Sequence, residues 1–239
     1  RQVLLVSDQE VLSSSLTQYS DYMKSAKKSS SKDGAAMVTR VGKKIAAATE
    51  QYLRNNGLES EIKNFAWEFN LVNDPQVNAF CMPGGKIVVY EGLMQLVSSD
   101  DELAVVVGHE VAHAVAKHSN ERMSQQLMAQ YGAQILGQAL SNKSAAVQKI
   151  GASVYGLGAQ YGVMLPFSRK HESEADYMGL VFMAMAGYNP AVAVNFWQKM
   201  SAGKSGSTPE FMSTHPSDAT RINEIKQHLP EIEKYRVKK

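Results

Sequence analysis

Residues 99–116 read Ser99-Asp100-Asp101-Glu102-Leu103-Ala104-Val105-Val106-Val107-Gly108-His109-Glu110-Val111-Ala112-His113-Ala114-Val115-Ala116, and this stretch decides the fold. Ser99 with Glu102 makes a capping box that starts a helix, and the apolar run from Leu103 carries straight into His109 and His113. Two histidines at i and i+4 share one helical face about one turn apart, so both rings can reach one tetrahedral Zn²⁺. Glu110, beside the first histidine, is placed to take a proton from a water that such an ion activates. The plain alternative is that two histidines and a glutamate merely share a helix. It fits poorly, because the flanks are apolar and an unpaired ring in a buried helix costs free energy. The pattern points to metal-assisted hydrolysis with one zinc per chain.

Catalytic zinc sites use three protein ligands and keep a position for water, so a third ligand has to come from elsewhere. A metzincin continuation would need glycine at 116 and histidine at 119, where the chain has Ala116 and Ser119. His118 falls off the ligand face by about 140°, and Glu121 sits at the expected helix end, so neither is attractive. The segment Ser168-Arg169-Lys170-His171-Glu172-Ser173-Glu174-Ala175-Asp176 is better. Glu172 and Asp176 share a helix face at i and i+4, so one carboxylate can bind the metal while the other accepts the N–H of a ligand histidine. Glu174 points elsewhere and is expected to be solvated.

Outward from these motifs, the N-terminal third reads as two helices and a short sheet. Ser7 and Glu10 cap a helix whose apolar face continues through Leu12 and Leu16, before an exposed Lys/Ser-rich loop at Lys27 to Gly34. Val38, Val41, Ile45 and Ala48 recur at helical spacing, and Asn56-Gly57 stops the helix. Phe65, Trp67, Phe69 and Leu71 alternate with polar or small residues as in a half-buried strand, and Val77 to Met82 and Lys86 to Tyr90 flank a Pro83-Gly84-Gly85 turn as a hairpin. Asn78, Ala79 and Phe80 are the expected substrate edge strand, because an extended peptide can add to a sheet edge through main-chain hydrogen bonds. Further helices are expected at 120–140, 143–161, 169–186, 190–201 and 218–228, with Asn189-Pro190 and Ser217 as start signals. Tyr177 and Met178 are expected in the core.

Composition fixes the class. At 239 residues, 44% apolar and 20% charged, the chain is an ordinary globular protein of one generous domain, against about 100–200 residues per domain. Net charge is +2 with no basic stripe, which argues against nucleic acid as a partner. Cys81 is the sole cysteine, which excludes an internal disulfide, a thiolate zinc knuckle and a four-cysteine iron–sulfur cluster. The uncharged stretches 123–142, 151–167 and 177–198 are broken by glutamines, glycines or Asn189-Pro190, so none should span a membrane. Arg1 in place of a methionine is the start expected of a processed product that has lost a signal or anchor segment.

Four motifs in order, His109-Glu110-Val111-Ala112-His113, Ser168-Arg169 with Glu172-Ser173-Glu174-Ala175-Asp176, Val77-Asn78-Ala79-Phe80 before Pro83-Gly84-Gly85, and His215-Pro216 with Arg221-Ile222, resemble the HtpX-like and CAAX-prenyl-protease-type zinc metallopeptidases over residues 35–230. The resemblance implies a gluzincin-type α+β domain, mainly helical with a small antiparallel sheet and hairpin beside the active-site helix. It makes Glu172 the third zinc ligand, Asp176 its supporting carboxylate, and Glu110 the base and then the proton donor. His215 would lie beside the zinc, either coordinating it at rest or supporting the oxyanion, and Arg221 would bind an oxyanion or anchor Glu172. Lacking the membrane helices of the embedded members, the chain looks like the soluble or lipid-anchored bacterial envelope branch. That resemblance implies a periplasmic endopeptidase for unfolded or misassembled proteins, near a membrane through an anchor outside this chain. A chaperone-like protein that holds clients is the alternative. Residues 1–34 form an N-terminal helix and loop, and 231–239 a tail.

Overall fold

A computed structural model describes residues 5–131, 145, 167–202, 209–216 and 219–237. Helix α1 (Asp8–Ser25) starts with a complete capping box: Ser7 Oγ accepts the Glu10 N–H and the Glu10 carboxylate accepts the Ser7 N–H at 2.8 Å. Its buried stripe is Val11, Ser15 and Tyr19, and Leu16 is 58% exposed, so the expected Leu12/Leu16 face is the neighbouring one. The polar groups on the chosen stripe explain this: Ser15 Oγ donates to the Pro83 carbonyl and Tyr19 Oη to Glu68, contacts that two leucines could not make. Helix α2 (Lys32–Asn55) buries Val38, Val41, Ile45 and Ala48 as their spacing predicts, and ends at Asn56 and Gly57, the latter with φ +71°.

The sheet consists of β1 (Glu68–Val72), β2 (Ala79–Met82) and β3 (Lys86–Tyr90) in the order β1-β3-β2. β2 and β3 form the expected antiparallel hairpin, while β1 joins β3 in parallel, so the sheet is mixed. One face, with Val72, Met82, Val88 and Tyr90, packs against Tyr19 and Tyr22 of α1. The other, with Leu71, Cys81, Ile87 and Val89, enters the main core. β3 is therefore buried along its whole length. The Lys27–Gly34 loop is mostly exposed, as expected, but shorter, because α2 already starts at Lys32. Lys28 bridges to Val72, and Ser29 N–H donates to the Leu71 carbonyl, which covers the outer edge of β1.

After the short helix α3 (Glu91–Met94), α4 (Asp100–Val115) runs through the centre with Leu103 to His113 all buried. At its start Ser99 Oγ accepts the Glu102 N–H, and Glu102 reaches back to Ser98 N–H at 2.7 Å instead of to the cap residue itself. Lys117 breaks the helix in the left-handed region, φ +59°, held there by Asp8 at 2.6 Å and Glu61 at 3.0 Å. Helix α5 (His118–Tyr131) begins at once. Helix α6 (Arg169–Met185), capped by Ser168, crosses α4 closely. A Cβ on Gly108 would lie 2.7 Å from the Gly179 carbonyl oxygen, and one on Gly179 would lie 2.7 Å from His109 N. Only two glycines permit that approach.

Helices α7 (Val192–Ala202), α8 (Glu210–Thr214) and α9 (Ala219–Ile232) close the core over fully buried Phe182, Phe196, Trp197 and Phe211. Asn189 Oδ1 accepts the Ala191 N–H ahead of α7, as its start signal implies. Burial of side chains this size contributes roughly 1.5–3 kcal/mol each. Apart from residue 145, which is helical, the expected helix at 143–161 lies outside the described residues, as do the Ser217 start signal and most of the uncharged stretches 123–142 and 151–167. Among the described residues no helix is long and apolar enough to cross a membrane.

Candidate metal centre

The α4–α6 crossing sets His109 and His113 opposite Glu172 and Asp176. His109 Nε2 and His113 Nε2 are 3.0 Å apart, and the Glu172 carboxylate lies 3.3 Å from the first and 3.2 Å from the second. From the loop after α8, His215 Nδ1 comes within 3.3 Å of His109 Nε2 and 3.0 Å of Glu172 Oε1. Ligand atoms of His109, His113, Glu172 and His215 all lie within 4.8 Å of one another, and all four residues are buried. Two imidazole nitrogens and a carboxylate brought this close repel unless a proton or a metal cation lies among them. Nitrogen and carboxylate donors in this number are what Zn²⁺ takes, so the donor set fits the ion.

Each group behind these ligands fixes an orientation. His109 Nδ1 lies 2.9 Å from Asp176 Oδ1, so Nδ1–H donates to the carboxylate and Nε2 is left for the metal. Arg221 reaches Asp176 through Nε and Nη2, the latter at 2.9 Å, sits 2.7 Å from Glu172 Oε2, and donates to the Pro216 carbonyl at 3.0 Å. These contacts tie Arg221 to the carboxylates of both Glu172 and Asp176. Glu110 Oε1 is buried 3.3 Å from His215 Nε2 and takes no hydrogen bond. Aromatic rings seal the surroundings: Phe211 stacks on His215 at 4.3 Å, Phe167 on His113 at 4.0 Å, and Trp197 meets His109 edge-on.

Electrostatics follow from burial and neighbours. Burial pulls His109 down, but the Glu172 and Asp176 carboxylates outweigh it and raise the ring to about 9, while burial dominates at His113 and pushes it well down. Against burial, His215, His109 and His113 hold Glu172 far below the usual carboxylate range, and Arg221 does the same for Asp176. Burial raises Glu110, with His215 and His109 opposing.

Sequence reasoning passed over one residue. His118 is fully buried, and its Nδ1 lies 2.9 Å from His113 Nδ1. Its Nε2 lies 3.2 Å from Glu174, a carboxylate that is 45% exposed, in line with its expected solvation. Burial, and then His171 stacked at 4.4 Å, brings His118 down to about 4. The ring is off the ligand face, as its spacing requires. It reaches His113 because α4 ends at Val115 and the chain turns at Lys117, a break that no glycine or asparagine announces.

The expected substrate edge also borders the site. Asn78, Ala79 and Phe80 line a cleft with Glu110, His113 and His215. With Tyr90 N–H on the Asn78 carbonyl, Asn78 and Phe80 face β3 and Ala79 turns outward, its N–H meeting Asn78 Oδ1 at 2.9 Å. Phe211 N–H, in α8, donates to the Val77 carbonyl, so the segment bearing His215 hangs from the start of this strand.

A mainly helical α+β domain thus brings together paired histidines, an adjoining buried carboxylate and a glutamate from a second helix, the donor set a zinc hydrolase site would use. Comparison with family sequence models agrees: that of peptidase family M48 matches residues 39–229, and the chain belongs to this family. Mitochondrial metalloendopeptidase OMA1 of Schizosaccharomyces pombe is 36% identical over 205 residues, covering 82% of this chain and 53% of the relative. The Arabidopsis thaliana protein of the same name is 40% identical over 168 residues, 70% of this chain and 33% of the relative. The beta-barrel assembly-enhancing protease of Yersinia pestis is 33% identical over 174 residues, 68% and 36%. The chain thus spans about half or less of the length of these relatives. The expected bacterial-envelope, periplasmic lipoprotein setting is overturned, since the OMA1 relatives, from fungi, a plant and animals, are named mitochondrial. None of the relatives named here bears out the finer HtpX-like or CAAX-prenyl-protease resemblance.

Proposed function

We propose that this chain, with residues 35–230 as its peptidase unit, is a zinc endopeptidase that cuts unfolded or locally open segments of polypeptide. One observation carries the reading: the His109, His113 and Glu172 donors converge beside a buried, hydrogen-bond-free Glu110 oxygen in a cleft walled by the strand edge at Ala79. Bound zinc would supply Lewis-acid polarisation of the scissile carbonyl and an activated water. Glu110 accepts the proton and returns it to the leaving amine. An extended substrate main chain pairs with the Ala79 edge, a mode indifferent to most side chains. His215, with Nδ1 already in the donor set, closes the fourth position at rest, and its release opens the site. No observation favours a protein that only holds clients.

Digestion of an unfolded test protein, with and without a chelator, tests the reading. Cutting should be abolished by the chelator. Glu110→Gln should keep about one zinc per chain and lose about 10²-fold or more of the activity, whereas Glu172→Ala should lose zinc affinity. Full zinc and normal cutting in Glu172→Ala would remove that ligand. At matched zinc occupancy His215→Ala should cut faster than the parent; a slower variant would make His215 an oxyanion donor instead, and equal rates would discard both roles.

A further inference from the structure

We infer that His118 is a positioning residue for the metal centre, acting with Glu174 to set the tautomer and ring angle of His113. The inference rests on His113 being a ligand, as proposed above, and adds a residue to that site. His109 and His113 differ in what stands behind them. The far nitrogen of His109 meets a carboxylate, Asp176, whereas that of His113 meets another imidazole. An imidazole can serve in that place only in one arrangement of protons. With His113 Nε2 turned toward Glu172 and His109, its proton is on Nδ1 and donates to His118 Nδ1 over 2.9 Å. His118 must then be neutral with its own proton on Nε2, and Nε2 lies 3.2 Å from the Glu174 carboxylate that accepts it.

The chain of contacts is thus directional, Glu174 to His118 to His113, and each link excludes the other tautomer of the ring before it. Packing holds it in place. His171 stacks on His118 with its Nε2 3.2 Å from Glu121, so α5 and α6 are tied together on both sides of the His118 ring. Phe167 stacks on His113 at 4.0 Å and also meets the His118 and His171 rings.

Zinc affinity of the purified chain, measured by competition with a chromophoric chelator, tests this. His118→Leu should weaken binding about 10- to 100-fold, as loss of a partner behind a ligand histidine does. His118→Asn, whose side-chain oxygen can stand where Nδ1 was, should restore most of it. Glu174→Ala should weaken binding about 10-fold, and Glu174→Gln, which keeps an acceptor, should stay near the parent. Absorption of the cobalt-substituted protein should change in His118→Leu and return toward the parent in His118→Asn. Unfolding of the zinc-free chain should be alike in the Leu and Asn variants. Parent-like zinc affinity in His118→Leu, or equal losses in the Leu and Asn variants, would overturn the inference. If His118→Leu fails to fold, unchanged affinity in Glu174→Ala would overturn it instead. His113→Ala separates the two levels: parent-like zinc binding there removes the ligand itself and this inference with it, whereas lost zinc there with normal binding in His118→Leu removes only this inference.

Discussion

The helical and sheet sides of the molecule each bring a carboxylate, a cation and a ring together, with different results. On the helical side, Asp176, Arg221 and His109 are at most 5% exposed, and every group is locked by the next. On the sheet side, Lys86 Nζ lies 2.8 Å from Glu68 and Tyr19 Oη donates to the same carboxylate, but the Glu68 side chain is 51% exposed. Water shares the second cluster and not the first. A sealed cluster dictates one geometry, which chemistry needs. A half-open one only ties α1 to the sheet.

If sealing is the difference, the largest effect should come from opening it. Arg221→Ala leaves Asp176 and Glu172 buried without their cation and should cost about 3–5 kcal/mol, read from denaturant unfolding at fixed zinc. A loss below 1 kcal/mol would dissolve the contrast. Next comes the crossing that brings the ligands together. Gly108→Val forces a Cβ against the Gly179 carbonyl and should cost about 1–3 kcal/mol and lower zinc affinity; unchanged zinc binding would show that the glycine pair does not set the ligand geometry.

On the sheet side Ala79→Pro removes an outward N–H, which Asn78 Oδ1 holds until a substrate displaces it, and should raise KM for an unfolded substrate about 2- to 10-fold, the worth of one hydrogen bond, with zinc retained. Unchanged KM would put the substrate edge elsewhere. Smallest is Glu68→Gln, at roughly 0.2–1 kcal/mol. Lys86 and then Tyr19 hold the Glu68 carboxyl below its usual range. Its contribution should therefore be complete above the unfolded value, about 4.3, and fade as pH falls through the lower folded value. Parent and Glu68→Gln unfolding free energies should converge on acidification from pH 6 to 3, and a constant gap would refute the assignment.

What could be read in the sequence was local. His109, Glu110 and His113 lie on one helix, and Glu172 and Asp176 on another, so helical spacing alone gives their faces. Where two stripes of one helix compete, as Leu12/Leu16 and Val11/Ser15/Tyr19 do in α1, the partner surface decides, and that surface is 49–68 residues away along the chain. The parallel pairing of β1 with β3 is non-local in the same way. Arg221 reads as an ordinary helix arginine until α9 packs on α6 and buries it. Tyr177 and Met178 are only partly buried, because the Tyr177 hydroxyl turns out to Glu231. His118 escaped for a different reason: its role depends on a helix break at a lysine in a backbone conformation that side chains disfavour.

The Lys28 bridge has a consequence for crowded conditions. It leaves β2 as the open edge of the sheet among the described residues. Two copies of this chain that met sheet to sheet through the described residues would join along β2 of each, the strand at which the sheet ends. Each copy would then plug the other's cleft, so self-association through the sheet would be self-inhibition, and dilution alone would relieve it.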